Sequence, residues 1–267
     1  MFNHVVVATG VPVNSVLSES AQTLRSASGV LTPFQLPEAA PGETLDGLLA
    51  FAATERADLL VVGGNGHRLA RRAAMLAPCS VLVVPDGATV TLGRILVPVD
   101  FSKASASALR EASQIAKAAG SEVTVVAVES DEDPWLDWKD YPEQQQSKLE
   151  QFIEETLGPA HDFQALIEPE HSLDPNTNIG SGGFDSFEGS RTAASIVAVA
   201  DRLGSTLIVA GTRGRTQAAA VLLGSVVEKV IQYSRVPVLT VKRDGDHLSL
   251  VEALLGKLLD DRQLVAS

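Results

Sequence analysis

The residues best able to do chemistry lie between Gly211 and Ser225. Gly211-Thr-Arg-Gly214 is followed by nine residues and then by Gly224-Ser225, the pattern G-x2-G-x9-G-[ST]. Glycines let backbone N–H groups approach a ligand with no Cβ in the way, and N–H groups that converge in one loop make a concave anion site. Gly224 and Ser225 open a segment of helical period. A helix N-terminus, with its unpartnered N–H groups and positive dipole end, therefore faces the same point, and the Ser225 hydroxyl adds a donor. Arg213 and Arg215 supply charge to screen a polyphosphate. A carboxylate stands at another strand end: in Val97-Pro98-Val99-Asp100-Phe101-Ser102, Asp100 is placed to accept hydrogen bonds from a base amine or a ribose. Val128 closes a further apolar run and offers a wall for a base. This chemistry is binding, since no general base or nucleophile accompanies the phosphate-binding backbone.

Other segments compete for attention. Ser181-Gly-Gly-Phe-Asp-Ser186 resembles the S-G-G-x-D-S loop of ATP pyrophosphatases, which split ATP to AMP and pyrophosphate. That loop should leave the first strand of its domain and open a helix. Here it follows Leu173-Asp-Pro-Asn-Thr-Asn-Ile-Gly, which has no strand character, so a flexible Gly/Ser loop is preferred and an ATP-dependent enzyme using Ser181 to Ser186 is the alternative. The stretch from Glu168 to Ser190 exceeds an ordinary connection, as lids do. Glu129 to Glu143 carries Asp131, Glu132, Asp133, Asp137 and Asp140 with Trp135, Trp138 and Tyr141 between them. It reads as a solvated acidic loop with aromatic anchors, or as the docking surface of a nucleotide-independent interaction scaffold. His161 and His171 lie near carboxylates without metal-ligand spacing, so no metal site within the protein itself is expected. The lone Cys79 excludes an internal disulfide and is expected to be a buried, inert thiol.

The elements that must position these residues follow from periodicity. Val5 to Val7, Leu59 to Val62, Ile95 to Val97, Val123 to Val128 and Leu207 to Val209 are continuous apolar runs, the mark of strands covered on both faces. They alternate with helical stretches at Ser102 to Ala119, Glu143 to Leu157, Arg191 to Leu203 and Ser225 to Tyr233. Alternation of this kind predicts an α/β fold with open, parallel, doubly wound (Rossmann-like) sheets. Ligands of such sheets bind beyond the carboxyl ends of the strands, where the strand order switches.

The run from Ala53 to Pro85 parallels the run from Ala200 to Lys242: buried strand, glycine loop, helix, last strand. The chain is thus expected to be a tandem of two α/β domains, residues 1–88 and 92–242, with a boundary near Gly87 to Gly93. The first copy is shortened, since a dozen residues separate Gly66 from Cys79, whereas more than twenty separate Gly214 from Pro237. It keeps Gly63 and Gly66, lacks the Gly-Ser pair, and carries Arg68, Arg71 and Arg72 on a short helix. A degenerate copy packed against the complete one is preferred to an altered ligand site. Residues 243–267 form an amphipathic helical extension with Leu248, Val251, Leu255, Leu258 and Leu259 on one face. A formal charge of -12 over 267 residues argues against an extended nucleic-acid or anionic-membrane surface. The N-terminus has neither a basic leader nor a long apolar stretch, which points to the cytoplasm.

With these residues in place, the second half resembles the universal stress proteins, in their ATP-binding branch. The resemblance rests on Pro98-Val-Asp-Phe-Ser, the strand from Glu122 to Val128, Gly211-Thr-Arg-Gly-Arg, Leu222-Leu-Gly-Ser-Val-Val-Glu-Lys-Val and Val236-Pro-Val-Leu-Thr-Val, and it spans the domain apart from an expanded middle loop. It implies that Pro98, Val99, Asp100 and Val128 hold adenine and ribose. It also implies that Gly211, Gly214, Gly224, Ser225 and Val226 hold the phosphates of ATP, ADP or AMP, with Mg2+ arriving alongside the nucleotide. In the first half, Ala8 and Gly10 stand where the family's Pro and Asp would align, so one site per chain is expected. The resemblance further implies dimers formed through last strands, with Val81 to Val84 pairing Pro237 to Val241 within the chain as a pseudo-dimer. A cytoplasmic, nucleotide-dependent stress-response regulator with at most slow ATPase activity, a homodimer open to a protein partner, is the resulting expectation.

Overall fold

The computed structural model describes residues 1–9, 15–36, 41–64, 68–129, 141–170, 191–212 and 223–242, with residues 41–43 and 141–142 described by their backbone alone. In chain order the elements are β1 (Phe2–Thr9), α1 (Ser15–Leu24), β2 (Arg25–Gln35), α2 (Pro41–Thr54), β3 (Leu59–Gly63), α3 (Arg68–Leu76) and β4 (Ser80–Val84). There follow β5 (Arg94–Val99), α4 (Lys103–Ala119), β6 (Glu122–Glu129), α5 (Tyr141–Leu157), β7 (Phe163–Pro169), α6 (Arg191–Leu203), β8 (Leu207–Gly211), α7 (Ser225–Tyr233) and β9 (Val238–Val241).

Among the described residues, nine strands join one sheet in the order β2-β1-β3-β4-β9-β8-β5-β6-β7. Every neighbouring pair is parallel except β4 and β9, which run antiparallel with Val81 opposite Thr240, Leu82 opposite Leu239 and Val83 opposite Val238. The continuous apolar runs occupy the interior of this order, where both faces are covered. One face buries Val5, Val7, Val97, Val125 and Val209 under α1, α4 and α5; the other buries Val6, Leu60, Leu96, Val126 and Ile208 under α2, α3, α6 and α7. This is a doubly wound α/β architecture.

Local signals set the helix ends. Ser102 caps α4 by accepting a hydrogen bond from the Ser105 N–H at 3.2 Å, and Gly120, at φ +70°, closes it in the left-handed region that favours glycine. The seam between β4 and β9 is completely buried, with Leu82, Leu239 and Thr240 at 0% exposure, and the Thr240 hydroxyl donates to the Val81 carbonyl at 3.1 Å. Lys242, just past β9, sends its ammonium to the carbonyls of Met75, at 3.1 Å, and of Ala77, at the C-terminal end of α3. A cation is favoured there by the negative end of the helix dipole. Cys79 is buried and its thiol is pushed up from near 9 to about 12, first by desolvation and further by Asp58, with Lys242 opposing.

Candidate functional site

Strand order reverses between β5 and β8: the chain winds from β5 outward through β6 to β7, then returns to β8 on the other side. The two strands pair only at Ile95 with Leu207 and Leu96 with Ile208. Beyond that, Val97–Val99 and Val209–Gly211 keep their outer partners, β6 and β9, but form no ladder with each other. A crevice therefore opens at the carboxyl ends of the central strands, where ligands of open α/β sheets bind. Pro98, which has no N–H to give, sits where the β5–β8 ladder has already ended.

The turn leaving β5 is strained. Phe101 has φ +64°, uncommon for a bulky residue. Its ring is held edge-on to Phe152 at 5.5 Å between centroids, with the Lys148 ammonium 4.4 Å from the ring centre. Half-buried Asp100 accepts a hydrogen bond from the Ser102 N–H at 3.1 Å, which orients its carboxylate over the start of α4. Strain of this sort persists only where packing fixes it, and it concentrates at functional sites.

Across the crevice, Gly211 is the last residue of β8 rather than the first of the loop beyond it. A Cβ there would lie 2.6 Å from both the carbonyl carbon and oxygen of Ala104 and 2.9 Å from the Ser105 nitrogen. Its glycine character is thus required by the close approach of α4. Gly224 differs: at φ −60° and ψ 138° its backbone suits any residue. The Gly224 N–H donates to the Thr212 carbonyl at 3.0 Å, which ties the start of α7 to the end of β8. The first turn of α7 gives the N–H groups of Ser225, Val226 and Val227 no partner within the helix.

Val226 and Val128 pack on the same sheet face, the one under α6 and α7. Val99 points the other way, into the core beneath α4, at 7% exposure, so only its backbone remains for a ligand. Arg213, Gly214 and Arg215 lie outside the described residues, as do Gly66, Ser181 to Ser186, the aromatic loop residues 130–140, His171 and the tail 243–267.

Sequence reading missed three features here. The positive φ of Phe101 has no signature in residue type. Glu168, at the end of β7 and 4% exposed, receives a bidentate pair from Arg202 of α6, at 2.9 and 2.5 Å, and this holds the Arg202 guanidinium proton more firmly. Arg71 of α3 reaches Glu228, in the first turn of α7, at 3.3 Å. In the first half, β1 and β3 likewise stop pairing at Val7 with Val61, and a Cβ on Gly63 would meet Leu17 Cδ1 of α1 at 3.1 Å, much as one on Gly211 would meet α4. Among the described residues no group of three His, Cys, Asp or Glu side chains could hold a metal, and no helix is long and apolar enough to cross a membrane.

Comparison with known proteins agrees with the fold. The family model described as "Universal stress protein family" matches residues 91–242, more than half of the chain. No curated protein matches the sequence. Among solved structures, a universal stress protein from Archaeoglobus fulgidus DSM 4304 superposes with a TM-score of 0.52 at 24% identity, over 87% of this chain and 76% of that one. A Pseudomonas aeruginosa UCBPP-PA14 protein assigned to the universal stress proteins gives a TM-score of 0.61 at 18% identity, over 95% and 97%.

Proposed function

Because the chain belongs to the universal stress protein family, we propose that its second domain, residues 92–242, binds one adenine nucleotide, ATP or its products, and that residues 1–88 are a degenerate copy without a site of their own. The observation that carries this reading is the open seam between β5 and β8, bordered by Asp100 on one side and by the first turn of α7 on the other. Phosphates would sit on the N–H groups of Ser225 and Val226, with Arg213, Gly214 and Arg215 as further phosphate-binding residues. The base would lie along Val128, with the ribose against Asp100 and the backbone of Pro98 and Val99. The donors present suit an anion, and Mg2+ would arrive on the phosphates, adding charge neutralisation there.

In this reading the chain's own residues bind and orient the nucleotide, and occupancy rather than turnover is the output proposed, with no positioned general base among the described residues of the crevice. The protein is then a cytoplasmic, homodimeric stress-response regulator whose signal is nucleotide occupancy.

Titration of the pure chain with ATP and magnesium tests the assignment. Asp100→Ala should weaken ATP about ten-fold while leaving inorganic tripolyphosphate binding unchanged, because the carboxylate serves the nucleoside and not the phosphates. Equal loss of both ligands, or no loss of either, would contradict the assigned role of Asp100.

A further inference from the structure

Glu228 is an awkward residue for a phosphate-binding helix. It lies in the first turn of α7, three positions after Ser225 and so about 4.5 Å further along the axis. A carboxylate there complements the positive end of the helix dipole, and by the same physics it repels a second anion brought to that end. Its partner comes from the other half of the chain: Arg71 Nη1 stands 3.3 Å from Glu228 Oε1. Arg71 is not adrift, because α3 is held at its far end by the Lys242 ammonium on the Met75 and Ala77 carbonyls, and β4, which follows α3, is zipped to β9. Seam, lysine clamp and ion pair together keep α3 beside α7.

We propose that the first half of the chain tunes nucleotide affinity in the second: Arg71 is a positioning residue that neutralises Glu228 and so keeps the N-terminus of α7 receptive to phosphate. The proposal rests on the assignment of phosphates to that N-terminus. It gives a copy without a ligand site of its own a function in binding, and it confines the effect to the charged part of the ligand.

Calorimetry with the full chain at low ionic strength decides it, using ATP with magnesium and, separately, adenosine. Both side chains are partly exposed, so the expected change is modest: Arg71→Gln weakens ATP about two- to five-fold and Glu228→Gln tightens it by a similar factor. Adenosine binding stays unchanged in both. In the Glu228→Gln background, Arg71→Gln has no further effect, because no carboxylate remains to be masked. The differences shrink in 0.5 M salt. Unchanged ATP affinity in Arg71→Gln overturns the proposal. So does equal weakening of ATP and adenosine, which marks a general structural role, and so does an undiminished Arg71 effect in the double variant, which alone decides where adenosine binds too weakly to measure. Absence of ATP binding by the unaltered chain is a distinct result: it removes the phosphate assignment first, and this proposal with it.

Discussion

A methyl group at Gly211 would stand 2.6 Å from the Ala104 carbonyl, so Gly211→Ala must push α4 away from β8. The expected cost is about 1–3 kcal/mol, read as a lower urea midpoint with an unchanged slope. Gly224, at φ −60° and ψ 138°, has backbone angles open to any residue, so its substitution carries no backbone strain. Cys79 gives a pH test. Its folded thiol is raised to about 12 from an ordinary value near 9, so the neutral thiol is the form that the fold favours. The associated stability is complete below pH 9 and is lost as pH rises from there towards 12. Between pH 8 and pH 10.5 the unaltered chain should therefore lose more stability than Cys79→Ala, when both are followed by urea unfolding.

At the scale of elements, Arg202 and Glu168 tie α6 to the edge strand β7. Glu168 is buried, and removing Arg202 takes the bidentate guanidinium from a desolvated carboxylate. Arg202→Ala should cost about 1–3 kcal/mol, discounted because the Arg202 side chain is half exposed, and hydrogen exchange should speed up first in β7. Elements also show what the sequence could reveal. Helices α6 and α7 begin and end where periodicity and glycine placement put them, and α4 starts one residue later, at its Ser102 cap. The strands read as continuous apolar runs are interior ones. The two with no such run, β2 and β7, are the edges of the sheet, where a strand is half exposed and its pattern is diluted by Arg25, Ser26 and Pro33 or by Gln164 and Glu168. Phe101 was equally illegible, since its left-handed backbone follows from packing against Phe152 and Lys148, contacts about fifty residues away in the chain.

Over the whole molecule, a single sheet runs through both halves, and the seam of Leu82 with Leu239 is as well buried as any strand core. Leu239→Ala should cost about 2–5 kcal/mol and weaken β3 and β8 together, seen as faster amide exchange on both sides of the seam. Protection lost on one side only would mean that the halves are stabilised separately. This continuity places α3 against α7 and makes the first half relevant to the second.

Function in the whole molecule turns on whether the crevice between β5 and β8, bordered by the first turn of α7, holds a nucleotide as proposed. Its most direct test is calorimetry of ATP with magnesium on the intact chain and on Gly224→Val, whose backbone angles already suit valine but whose branched side chain would crowd the approach to the Ser225 and Val226 N–H groups. The expected result is one nucleotide per chain and at least about ten-fold weaker binding in the variant, with unfolding little changed. No binding by the intact chain, two nucleotides per chain, or equal affinity in Gly224→Val would contradict it.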